Sequence, residues 1–205
     1  MRRVHRRNRV PSDSSVKLDI RFDSGFMSGV DVQDRSQSGN HSSAKGTVGT
    51  PVPVYPGFNF VATSLQYIDI GASYNAVNTV LLWVKPDDVV GLDFIIDLNG
   101  TDYLLINSGT VFKNGFAGGT AVLYVDGVAG TTVTANWHMV AITDTVGKDA
   151  SDLDIGRIEA GEYLDGRIGG VMLFSRVLTP AEMRDIYNVT KFKYQMCGHN
   201  RLNKI

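Results

Sequence analysis

Apolar and polar residues alternate with a period of two along much of this chain, and Pro-Gly, Asn-Gly and Asp-Gly pairs interrupt the alternation. Val16, Leu18, Ile20 and Phe22 alternate with Lys17, Asp19 and Arg21, the pattern of a half-buried strand. Strands are predicted over 58–62 and 66–70, preceded by a turn at Pro56-Gly57, and over 79–85, a run of β-formers around Trp83. Residues 92–98 and 102–106 pair around Asn99-Gly100, the strongest short hairpin signal in the chain. Residues 121–125 end on Asp126-Gly127, and 136–143 follow. After Asp165-Gly166, the run Ile168, Val171, Met172, Leu173 and Phe174 is apolar on both faces and predicts a strand covered on both sides. A helix start then follows: Thr179 as N-cap, Pro180 at the first helical position and Glu182 completing a capping box. Leu178 and Met183 form its hydrophobic staple, and Met183, Ile186 and Tyr187 recur at helical spacing.

Composition bounds this reading. The chain has 205 residues, 43% of them hydrophobic, enough for one sizeable core, and its 22 glycines against 6 prolines suit many turns between short strands. The net charge of -1 hides an asymmetry, because Arg2, Arg3, Arg6, Arg7 and Arg9 leave 15 basic and 21 acidic side chains for the rest. Cys197 is the single cysteine, so no disulfide closes within one chain. No apolar run approaches the roughly 20 residues that span a bilayer. The N-terminus has the charge of a signal peptide's first region without the apolar stretch that should follow, so secretion by that route is not expected. Three glycosylation sequons, at Asn40, Asn99 and Asn188, are therefore read as accidental.

Several segments resemble one family. The stretch YLDGRIGGVMLFSRVLTPAEMRDIY (163–187) is similar to the closing segment of laminin-G-like, concanavalin-A-like jelly-roll domains. Residues 31–41 resemble the loop after the first strand of that family, with Asp34, Arg35, Ser36, Gly39, Asn40 and His41 matching position by position. Tyr67-Ile-Asp-Ile-Gly71, Tyr124-Val-Asp-Gly127 and Asn136-Trp-His-Met-Val-Ala-Ile-Thr143 match further strands. The resemblance covers about residues 16–190. It implies an all-β, concanavalin A-like (laminin-G-like) jelly-roll sandwich of two antiparallel sheets with one short C-terminal helix. A basic arm (1–15) and a basic tail (191–205) lie outside it.

Glucanases of this superfold need two carboxylates aligned across a cleft. The chain has three glutamates: Glu182 belongs to the capping box, and Glu159 and Glu162 would face opposite sides of a strand. Asp93 and Asp97 share a face if their strand is regular. No nucleophile elbow, zinc-protease helix or phosphate loop is present, so no enzymatic activity is expected. Trp83 and His138 read as structural residues. Asp34 and Asn40 carry oxygens of the type that calcium takes, and in the family this loop sometimes contributes to a calcium site. Relatives continue the closing turn with two further acids, where this chain has Gly169-Gly170. No metal or cofactor is therefore predicted, with calcium the one candidate. Weak candidates for glycan contact are Asp34, Asn40, Tyr74, Asn75, Asn99, Asp102 and Tyr103, all in or beside predicted loops.

Laminin-G-like domains bind glycans or proteins, and some are carried on phage heads, tails and fibres. An adhesion-type fold with a basic arm and no expected secretion signal fits a virion-associated structural or decoration protein. It would be made in the host cytoplasm and displayed on the particle surface, anchored to capsid or tail proteins by its arm or tail. Host surface glycans are its second expected partner. The alternative is a cellular carbohydrate-binding or adhesion module, and a homo-oligomer is left open. The arm has two readings, an unstructured terminus or a docking segment. Five arginines without interleaved aromatics contact phosphates but read no bases, so nucleic acid is not the predicted partner.

Overall fold

The computed structural model describes residues 14–20, 27–28, 31–39, 41–47, 50–159 and 161–195; the five arm arginines and Asn40 lie outside them. The strands run β1 (Val16–Ile20), β2 (Met27–Ser28), β3 (Asp31–Val32), β4 (Ser42–Lys45), β5 (Val52–Val54), β6 (Gly57–Phe60) and β7 (Tyr67–Ile70). Next come β8 (Tyr74–Pro86), β9 (Leu92–Asp97), β10 (Tyr103–Asn107), β11 (Thr110–Asn114), β12 (Ala121–Val125) and β13 (Val128–Ala129). The last are β14 (His138–Ala150), β15 (Leu153–Ile155), β16 (Arg157–Ile158), β17 (Glu162–Tyr163) and β18 (Gly166–Phe174), followed by helix α1 (Pro180–Gln195).

Sixteen of these strands form an all-β sandwich of two antiparallel sheets, and β16 and β17 pair separately with each other. The first has the order β13-β12-β14-β8-β18-β6-β5, with β1 also pairing β18; the second has β11-β10-β9-β15-β7-β4-β3-β2. The inward residues of both sheets make one core, to which β8 gives Val80, Leu82 and Val84 and β18 gives Ile168, Val171 and Leu173. The outward residues Leu81, Trp83, Met172 and Phe174 enter a second cluster with Leu178, Met183, Ile186 and Tyr194, on or just before α1. β18 is thus apolar on both faces because one packs on the opposite sheet and the other lies under the helix. Each such side chain contributes about 1.5–3 kcal/mol on burial.

The turn and cap signals act as their chemistry requires. Asp126 and Gly127, at φ 53° and 80°, both take the left-handed conformation of a two-residue hairpin turn between β12 and β13. At the start of α1, the Thr179 N–H donates to Glu182 Oε2 (2.9 Å) and the Glu182 N–H donates to Thr179 Oγ1 (3.2 Å). Arg176 grips the same carboxylate with both terminal nitrogens, at 3.0 and 2.8 Å. These contacts pull the Glu182 pKa down to about 2, the Arg176 hydrogen bonds contributing most.

Three expectations need correction. The helix continues to Gln195, so residues 191–195 of the segment read as a basic tail belong to it. The cause is Tyr194, whose ring stacks on Trp83 (4.5 Å between centroids) and whose hydroxyl accepts the Gly170 N–H (2.8 Å). Tyr74 and Asn75 lie inside β8 rather than in a loop, because β8 begins five residues earlier than predicted to pair with an equally extended β14. Finally, β9 is not regular. Its pairing with β10 shifts at Leu104/Leu105, so that Asp93 stands opposite inward-facing Ile106 and Asp97 opposite outward-facing Tyr103. The two aspartates therefore face opposite sides of the sheet.

Gly169 sits directly beneath the Tyr194 ring, where an added Cβ would overlap ring atoms. Gly169→Ala is expected to displace Tyr194 and destabilise the fold by about 2 kcal/mol in urea titration. Thr179→Ala, which removes only the cap, should cost about 1 kcal/mol.

Candidate functional site

The outer face of the first sheet changes character where α1 ends. Under the helix it is apolar; two residues further along each central strand, Trp83 gives way to Lys85 on β8 and Gly169 to Arg167 on β18. Lys85 and Arg167 stand directly opposite in the β8–β18 register, and Asn59 of β6 stands opposite Arg167. The Arg167 Nε–H donates to Asn59 Oδ1 at 3.3 Å. Trp137, immediately before β14, flanks Lys85, and its carbonyl accepts from Gln195 Nε2 (3.2 Å), tying the helix end to the sheet.

Lys85, Arg167, Trp137 and Gln195 line an open groove of about 580 Å³ whose walls also include Tyr55, Pro56, Asn136, His138 and Tyr194. Tyr55 is 57% exposed on the turn between β5 and β6. Gly57 lets that turn lie close to Trp137, since a Cβ there would come within 3.0 Å of the indole ring. The Trp137 ring also packs at a tilt on Tyr194, with centroids 5.2 Å apart. The groove thus combines three aromatic rings, two cationic side chains and an exposed amide, Asn136.

His138 is at the groove wall, but its ring is occupied. Nδ1 lies 2.8 Å from Asp126 Oδ2, and Nε2 accepts the Thr134 N–H at 3.1 Å. With both ring nitrogens engaged, the imidazole is a structural strut. Trp83 is likewise structural: it is buried under α1, with its Nε1–H donated to Thr190 Oγ1 (3.1 Å).

The residues singled out from sequence are spread over other parts of the sandwich. Asp34 is buried; its Oδ1 accepts the Asp19 and Ser36 N–H groups at 3.0 and 2.8 Å, and its Oδ2 accepts the Ser36 hydroxyl. Asn99 and Asp102 share one turn: Asn99 Nδ2 donates to Asp102 Oδ2 (3.0 Å), Asn99 Oδ1 accepts the Thr101 and Asp102 N–H groups, and Asp102 Oδ1 accepts the Phe116 N–H. Tyr103 packs its ring on Phe94 at 5.6 Å. Tyr74 is buried and Asn75 exposed. Only Asn99, Asp102 and Tyr103 come together. Among the described residues, no group of three or more His, Cys, Asp or Glu side chains is placed to hold a metal ion. The groove residues escaped sequence reasoning because they come from five separate segments. The one available signal was the charged Lys85 following the apolar run Val80–Val84.

Two buried aspartates lie away from the groove. Asp154 pairs with Arg157 (2.6 Å), whose guanidinium lies over the Tyr67 ring, 3.6 Å from the centroid. Burial pushes the Asp154 pKa up to about 7 against the pull of Arg157. Asp93, at the rim between the sheets, accepts the Asp165 N–H at 3.1 Å, and burial pushes its pKa up to about 6.

No protein-family model matches the sequence, and no curated protein matches it. The shape does have likenesses among solved structures. Domain 4 of AbnA, a GH43 extracellular arabinanase from Geobacillus stearothermophilus in complex with arabinotriose, has a TM-score of 0.56 and 13% identity, covering 84% of this chain and 98% of that one. Trypanosoma rangeli sialidase in complex with sialic acid also gives 0.56, at 16% identity, covering 91% of this chain. What is shared is the fold. The chain spans nearly all of the arabinanase domain but only 34% of the sialidase.

The raised Asp93 pKa yields a prediction with a definite sign. A carboxyl whose folded pKa exceeds its unfolded value contributes stability that is complete below the unfolded value, about 3.9, and is lost as pH rises through the folded one. Asp93→Asn keeps the acceptor for the Asp165 N–H and removes the buried charge. The variant should be more stable than wild type by order 1 kcal/mol at about pH 8, and about equal at about pH 4, in denaturant titrations.

Proposed function

We propose that this chain is a non-catalytic glycan-binding module and that the groove beside the end of α1 is its site. The observation that carries the reading is the groove's composition. The exposed Tyr55 ring supplies a stacking surface beside the largely buried Trp137, while Asn136, Lys85 and Arg167 supply hydrogen-bond donors at its floor and wall. Rigid strands and a docked helix hold these groups, so little ordering is left for binding to impose. The resemblance to laminin-G-like domains supports the reading, as does the likeness in fold to an arabinanase domain solved with a trisaccharide. A non-catalytic role is supported by Asp93 and Asp97, which face opposite sides of their sheet and each accept backbone N–H groups. They are not a pair set across a cleft.

The module's setting rests on sequence alone. We propose display on a virion surface, with the arginine-rich arm or the basic tail docked on capsid or tail proteins; a cellular carbohydrate-binding or adhesion module is the alternative. Mass spectrometry of purified particles against soluble lysate tests this. Stoichiometric enrichment in particles is expected, and presence only in the soluble or cell-surface fraction would overturn it.

A glycan array followed by calorimetry tests the module itself. Tyr55→Ala, at an exposed ring, should weaken the best array ligand by roughly tenfold, the loss of one stacking contact of about 1–1.5 kcal/mol, with the thermal midpoint unchanged. Unaltered affinity would remove the groove as the site.

A further inference from the structure

We infer that the groove selects an acidic sugar and seats its carboxylate between Lys85 and Arg167. This inference rests on the glycan-binding reading and adds the chemical class of the ligand. Its starting point is a cost. Like charges directly opposite on neighbouring strands are destabilising, yet Lys85 and Arg167 hold that relation at the centre of a four-strand face. Among the described residues, no carboxylate lies within 4.0 Å of either side chain. The nearby Asp126 is occupied by His138 and by the Met139 N–H (3.0 Å). Two adjacent cations without a counter-ion, on a body that is acidic outside its first ten residues, mark a seat for an anion.

The geometry suits a planar anion. Arg167 is oriented through Nε by Asn59, which leaves the terminal nitrogens of its fork for two parallel hydrogen bonds to a carboxylate. Lys85 adds a point charge from the neighbouring strand. Tyr55 at the groove edge fits a sugar ring, and Asn136 fits a hydroxyl on it. The carbonyl end of α1 at Gln195 carries partial negative charge, which directs the carboxylate to the strand floor and the neutral part of the sugar to the helix side.

The test compares sugars that differ only in a carboxylate: hexuronic-acid oligomers against the same oligomers after carboxyl reduction, and sialyllactose against lactose, by calorimetry on the full chain. In at least one pair the acidic member should bind roughly tenfold or more tightly, a preference that shrinks as salt is raised. The double variant Lys85→Gln, Arg167→Gln should lose that preference while its thermal midpoint stays level or rises, because a repulsion has been removed. Arg167→Lys keeps the charge but not the fork and should retain only part of the preference. Equal binding of both members of every pair would overturn the acidic assignment and leave the glycan-binding module standing. Binding of no pair, with a glycan array also blank, would overturn both. An acidic preference that survives in the folded double variant would overturn the assignment to these two residues.

Discussion

Burial of both faces of the strand Gly166–Phe174 is the constraint on which the first sheet depends. Its inner residues close the inter-sheet core, and its outer residues have to be covered by something other than the opposite sheet. Helix α1 does this, fixed at one end by the Thr179–Glu182 capping box and the Arg176 fork, and at the other by Tyr194 stacked on Trp83 over Gly169. Removing the glycine or the aromatic stack therefore threatens more than a local contact. It exposes the outer face of two central strands, β8 and β18.

The groove is a consequence of the same arrangement. A helix of 16 residues covers only part of the sheet, and the outward positions change from apolar to polar where it ends. Lys85 and Arg167 follow the covered Trp83 and Gly169 positions by one alternation step, in opposite chain directions, because the two strands are antiparallel. The β5–β6 turn and the residues before β14 then raise Tyr55 and Trp137 as walls. A rigid, partly charged recess thus arises at the border between covered and uncovered sheet. Side chains placed there need no flexible loop to hold them.

Much of the secondary structure was legible in the chain itself. Alternation or β-forming composition marked strands over 16–22, 58–62, 66–70, 79–85, 92–98, 102–106, 121–125 and 136–143, and local turn and cap chemistry marked the hairpins and the helix start. These signals are legible because each depends on a few neighbouring residues. The misplacements share the opposite cause. The helix end was missed because Lys191-Phe-Lys-Tyr194 reads as a basic tail until Trp83, more than a hundred residues away, provides a partner for Tyr194. The relation of Asp93 to Asp97 was missed because a bulge, set by pairing with β10, reverses the alternation between them.

The sequence by itself therefore determined the class of fold, half of the eighteen described strands and the capped helix that closes the sandwich, since periodicity and turn chemistry are local properties. Tertiary structure alone decided which polar residues meet. Residues 55, 85, 136, 137, 167 and 194 converge only through sheet register and helix docking, and Asn99 and Asp102, neighbours in sequence as well as in space, spend their side chains on their own turn. The physical reason is that a residue's free hydrogen-bonding capacity depends on what the fold places beside it. No local pattern in the chain encodes that.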